Sequence, residues 1–95
     1  DAFMSVMSKD VQLFEFGNPT ASASGYDEIK LLYTNLFDES TSLHSTLLKR
    51  MVMGNKVIDH ERITGRMGNT DAIELIVIYE VNKKMKIDRI TVIRP

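Results

Sequence analysis

From residue 73 to 81 the odd positions Ile73, Leu75, Val77, Tyr79 and Val81 are all apolar, and Ile76 and Ile78 lie between Glu74 and Glu80. Side chains alternate faces along a strand, so this segment predicts a strand apolar along one whole face and at the centre of the other. Around it, three strand pairs follow one another between Leu47 and Arg94. Gly54-Asn55 separates the first two strands, Arg66 to Asp71 the next two, and Asn82 to Lys84 the last two. Gly-Asn tolerates the positive φ angles of a two-residue hairpin. From Lys56 to Thr64 the alternation sets Val57, Asp59, Glu61 and Ile63 opposite Ile58, His60, Arg62 and Thr64. The pattern predicts an antiparallel meander.

The first half reads differently. Asp1 caps a short helix in which Phe3, Met4 and Met7 share a face, and Lys9-Asp10 ends it. Val11 to Phe16 reads as a strand, with Val11, Leu13 and Glu15 on one side and Gln12, Phe14 and Phe16 on the other. Gly17 to Gly25 reads as a loop broken at Asn18-Pro19. Ser24 with Asp27 then marks a helix start, and Tyr26, Ile29, Tyr33, Leu36 and Phe37 recur at helical spacing until Asp38 to Ser42 closes it.

The fold class expected is therefore α+β: one domain over residues 1–95, with short helices packed on the concave face of a strongly curved antiparallel sheet. A strand apolar on both faces needs cover on both. Helices cover one, and a chain of 95 residues has little left for the other. A homodimer packed through the outer sheet face is the expected solution.

Composition narrows the function classes. Twelve Lys and Arg against 13 Asp and Glu, with no basic stripe, argue against nucleic acid as the main partner. No apolar run approaches a membrane span. The absence of cysteine excludes disulfides, thiolate catalysis and Cys-type zinc sites, and is compatible with a cytoplasmic location, which is expected. Nothing has the spacing of a phosphate loop, a Ser-His-Asp set or a dinucleotide fingerprint, so no cofactor is expected. Alternation also separates His60 from Asp59 and Glu61, which argues against a metal site there.

Short helix, strand, loop, amphipathic helix and four-strand meander is an order that resembles the nuclear-transport-factor-2-like superfamily, with its SnoaL-like proteins and ketosteroid isomerases. The segments Asp1 to Val11, Tyr26 to Tyr33, Ile78 to Val81, Asn82-Lys-Lys and Ile87-Asp-Arg-Ile carry the resemblance. It implies a cone-shaped pocket for a small apolar, polyketide-like or steroid-like molecule, lined by Phe14, Phe16, Leu75, Val77, Tyr79, Ile90 and Val92. It also implies that a first helix covering the cavity would precede Asp1 in the natural chain.

Three residues are candidates for chemistry. The isomerases place a base at the end of the first strand, where Glu15 falls; flanking Phe14 and Phe16 would disfavour its charged form. Tyr33 matches a pocket-facing tyrosine, or is a core aromatic at helical spacing. His60 lines the pocket as a proton carrier or sits at the dimer face, since alternation alone does not phase its strand. Val77 stands where the isomerases carry a protonated aspartate as oxyanion donor, which argues against the conventional steroid reaction. Arg94, near the pocket mouth implied by the resemblance, binds an acidic ligand or pairs with a neighbour. Three functions stay open: a pocket protein; an isomerase, cyclase or lyase using Glu15; and a dimerisation module.

Overall fold

The computed structural model describes residues 3–40, 42–66 and 71–95. The order is a single 3-10 turn (Met4–Val6), β1 (Met7–Glu15), β2 (Ala23–Ser24), α1 (Tyr26–Glu39), β3 (His44–Met53), β4 (Lys56–Thr64), β5 (Ile73–Val81) and β6 (Ile87–Ile93). The strands form one six-stranded sheet in the order β2-β1-β6-β5-β4-β3. The α+β class stands, and the β3–β6 meander is antiparallel throughout. The β1–β6 pairing is parallel, which makes the sheet mixed. Strand β1 enters beside the last strand after a chain reversal through α1 and the meander, so the two ends of the chain run the same way.

Two boundaries differ from the sequence pattern. The expected first helix is only one 3-10 turn within the described residues, because Met7 already pairs with Ile87 and is buried in the core. Lys86 Nζ donates to the Ser5 carbonyl at 2.6 Å and holds that entry to β6. The last turn runs to Lys86: Asn82 Oδ1 accepts the amides of Lys84 and Lys86, and Met85 takes φ 62°. The two-residue Gly54-Asn55 turn is as expected, with Gly54 at φ 59° and Met53 opposite Lys56. Of the Arg66 to Asp71 turn, residues 67–70 lie outside the described set, as do Asp1 and its cap.

Helix α1 follows the predicted stripe. Its N-cap is Gly25 at φ 92°, and the Glu28 carboxylate reaches back to accept the Ser24 amide at 3.1 Å. Asp27 and Glu28 in the first turn also favour the positive end of the helix. Ile29 is fully buried, and Tyr26 and Tyr33 pack beside it against a core of Val11, Leu13, Leu75, Val77, Ile90 and Val92. Burying a large aliphatic side chain contributes about 1.5–3 kcal/mol, so Ile29 is the main anchor of the helix.

Register assigns the faces. Leu13 opposes Ile90, Glu15 opposes Val92, Val77 opposes Val92 and Asp59, and Leu75 opposes Glu61. These side chains face α1. The other face holds Phe14, Thr91, Ile78, Ile58 and Met51 in one row, and Ile93, Ile76, His60 and Lys49 in the next. Strand β3 is exposed along its whole length. Shifts of register in β1, β3 and β5–β6 bend the sheet, as bulges do.

Candidate functional site

Between α1 and the sheet face it covers lies a cavity of about 370 Å³. Leu13, Leu75, Val77 and Val92 make its floor, and Leu32, Tyr33, Leu36 and Phe37 of α1 make its roof. Leu32 and Phe37 are about half exposed, so the cavity opens to solvent beneath the C-terminal half of the helix. Phe3 meets Tyr33 edge-on at 4.9 Å, and Tyr33 stacks on Phe37 at 6.4 Å, which stiffens the roof.

The polar members of the lining are Tyr33, Ser45, Glu61, Arg66, Tyr79 and Arg94. Glu61 Oε1 accepts a hydrogen bond from Ser45 Oγ at 2.9 Å across the β3–β4 pair. Burial raises the Tyr33 phenol above its ordinary value, the Glu61 carboxylate raises it further, and Arg94 pulls the other way. Tyr79 is also raised, chiefly by burial and then by Glu61, Tyr33 and Asp59. Both hydroxyls therefore remain protonated donors at neutral pH.

Two ion pairs flank the cavity. Arg94 grips Glu15 through Nε at 2.7 Å and Nη2 at 3.3 Å. On the neighbouring strands, Arg50 holds the buried Asp59 carboxylate in a fork, at 2.7 and 2.8 Å. Such bidentate geometry is the strong form of the arginine–carboxylate contact.

The expected catalytic trio is not assembled. Tyr33 faces the cavity. Glu15 ends β1 as the resemblance implied and faces the helix side, but its carboxylate is held by Arg94 and it is not among the lining residues. Its flanking phenyl groups point away, so they do not enclose the carboxylate. His60 lies on the opposite sheet face, where Nε2 and Glu74 Oε1 are 2.7 Å apart. Of the expected lining, Leu75, Val77, Tyr79 and Val92 are in place. Ile90 is on the right face but fully buried beneath the floor. Phe14 and Phe16 are corrections: β1 alternates, and with Leu13 turned toward the helix both phenyls turn outward. Phe14 is buried there under the Arg89 guanidinium, 3.9 Å from the ring centroid, and Phe16 is exposed.

Glu61, Ser45 and Arg66 were not singled out from sequence as pocket residues. The available signal was Ile63, which shares a face with Glu61 and pairs with Ile73 of the wholly apolar strand face. That pairing phases β4 and separates Glu61 from His60. Among the described residues no three His, Asp or Glu side chains gather as a metal site, and no helix is long and apolar enough to cross a membrane.

A helix laid across a bent mixed sheet with a cavity beneath it defines the cystatin-like, nuclear-transport-factor-2-like fold, and solved structures of that fold match this chain. The chain is similar to an uncharacterised cystatin-fold protein from Novosphingobium aromaticivorans (TM-score 0.87, 17% identical, 99% of this chain and 83% of that chain covered). A protein described as a SnoaL-like polyketide cyclase from Jannaschia sp. CCS1 matches at TM-score 0.81, 15% identical, over 97% of this chain and 69% of that one. A protein with a ketosteroid-isomerase-like fold from Catenulispora acidiphila, solved with trimethylamine, matches at TM-score 0.77, 14% identical, over 96% of this chain and 71% of that one. At these identities the likeness establishes the fold. No protein-family model and no curated protein matches the sequence.

Proposed function

We infer that this chain is a pocket protein that binds a small, mainly apolar molecule of polyketide-like or steroid-like size between α1 and the sheet. The observation that carries the reading is the cavity of about 370 Å³ with an aliphatic floor, an aromatic roof and a few convergent polar groups. Small-molecule sites commonly have this make-up and fall in a range of about 300–1,000 Å³. The polyketide-cyclase description of one structural neighbour agrees with such a ligand.

The test is methyl NMR with 2-naphthol as a neutral probe. Binding in the cavity shifts the methyl signals of Leu13, Leu75, Val77 and Val92 and leaves Ile58, Ile76 and Ile78 in place. Shifts confined to the second set would place the probe on the wrong face and refute the reading.

A proton-transfer reaction in the same cavity is the second reading. It is favoured by one observation: Glu61 lies within electrostatic reach of two raised phenols, Tyr33 and Tyr79. In that case Glu61 takes the role expected of Glu15, because Glu15 is already held by Arg94.

We further propose that the protein works as a homodimer through the face opposite α1. Met51, Ile58, Ile78, Ile76 and Ile93 form an apolar band there. At its margins His60–Glu74 and Arg89–Glu80 pair at 2.7 and 3.5 Å. An apolar band bordered by polar side chains suits contact with a second copy of itself.

A further inference from the structure

Topology collects the polar end of the cavity. Strand β1 runs parallel to β6, and β4 runs the same way as both, so their C-terminal ends meet at one edge of the sheet. Arg94 follows β6 and Arg66 follows β4, and both side chains line the cavity. The two guanidinium groups therefore belong to the same end of the site.

Arg66 is the unusual one. Its Nε is shielded from solvent and has no hydrogen-bond partner, and among the described residues it forms no ion pair. A guanidinium nitrogen withdrawn from water without an acceptor is costly to the folded state. The backbone holds it there. Gly65 takes φ 74°, and a side chain at that position would collide with the Ser42 carbonyl. Gly65 thus lies close against Ser42 and Leu43, and Leu43 lines the cavity as Arg66 does.

The remaining donors point to the same conclusion. Arg94 uses Nε and one terminal nitrogen on Glu15, which leaves other N–H groups of its fork for a ligand. The Tyr33 hydroxyl is in the electrostatic reach of Arg94 and forms no protein hydrogen bond among the described residues. Within the lining, Arg94 is already paired with Glu15 and one Glu61 oxygen is occupied by Ser45, so the donor left without an acceptor is Arg66 Nε.

We propose that the ligand of this cavity is an apolar molecule carrying a carboxylate, its body over Leu13, Leu75, Val77 and Val92 and its carboxylate held by Arg66 and Arg94. The proposal rests on the pocket reading above and specifies its ligand class. The carboxylate supplies the acceptor that Arg66 Nε lacks, and planar two-point contact suits guanidinium and carboxylate alike.

The experiment compares three probes of one shape with the intact chain: 2-naphthoate, 2-naphthalenemethanol and (2-naphthylmethyl)trimethylammonium. Affinities come from calorimetry and positions from the methyl NMR shifts. The naphthoate binds about tenfold or more tightly than the alcohol, as expected for hydrogen bonds to a charged group, and the ammonium binds worst. Arg66→Leu weakens naphthoate far more than the alcohol, so the preference for naphthoate is lost, and Arg66→Lys restores part of it. Arg62→Leu, which deletes an equal charge from the opposite face, changes nothing. Equal affinity for acid and alcohol, tighter binding of the ammonium, or equal losses in Arg66→Leu and Arg62→Leu would overturn the proposal. If none of the probes moves the cavity methyls, the pocket reading itself falls and this inference falls with it. Backbone NMR spectra confirm that each variant is folded, so a lost preference is not a lost structure.

Discussion

Replacing Ile29 with alanine tests whether α1 is tied down by the one residue of the helix that is buried. Ile29 is 0% exposed, while Leu31, Leu32 and Phe37 on the same helix are 62%, 45% and 49% exposed. The substitution deletes three carbon groups from the core, and at about 0.8 kcal/mol each the transfer loss is ~2.5 kcal/mol. Incomplete collapse of the surrounding Val11, Leu13 and Ile90 adds a cavity cost, which brings the total to about 3–4 kcal/mol. With a urea m-value of about 1–3 kcal/mol per molar, the midpoint falls by roughly 1–4 M. Leu31→Ala is the control, and its effect stays within about 0.5 kcal/mol because its side chain is already in water. The assay is urea unfolding followed by circular dichroism, at fixed protein concentration because dimerisation would couple to stability. A loss below about 1 kcal/mol in Ile29→Ala, or equal losses in the two variants, would show that the helix is held some other way. The cavity roof would then need a different explanation.

Gly65→Ala combines a strained positive φ with a collision against the Ser42 carbonyl, and loses about 1–3 kcal/mol. Gly17→Ala, at φ 86° in open space, loses less, and urea midpoints for the pair decide whether the close approach matters. Tyr33 and Tyr79 are raised above the ordinary phenol value of 10.0 by burial, so the folded chain keeps protons there that the unfolded chain gives up. The stability they contribute is complete below pH 10.0 and is lost as pH climbs toward the raised native values. Thermal melts across alkaline pH read this directly, and melts that are flat or rise with pH would contradict it. Ile78→Glu places a charge in the apolar outer band: sedimentation shows a dimer for the parent and a folded monomer for the variant. A monomeric parent would dismiss the dimer.

The meander, the amphipathic stripe of α1 and the Gly54-Asn55 hairpin were legible because each rests on local rules of period and turn chemistry. Pairing between distant segments was not. Nothing local to Met7–Glu15 says that this strand lies parallel to β6, and that pairing decides which side of Phe14 faces the helix. The resemblance implied the two phenylalanines as pocket lining, yet Leu13 and Val11 claim the helix side. His60 and Glu61 show the same limit. Both faces of β4 carry apolar and charged residues, so only the Ile63–Ile73 pairing fixes the phase. The role of Arg94 was open between ligand and neighbour; the structure gives it Glu15 as a neighbour and a place in the lining as well. Arg66 carried no signal, since its placement depends on a backbone approach between Gly65 and Ser42, far apart in sequence.

The most direct test is a crystal structure of the chain with 2-naphthoate. The expected result is the naphthalene rings between α1 and the floor of Leu13, Leu75, Val77 and Val92, with the carboxylate on Arg66 and Arg94. A cavity closed by its own side chains, or a probe seated on the Ile58–Ile78 face, would contradict it.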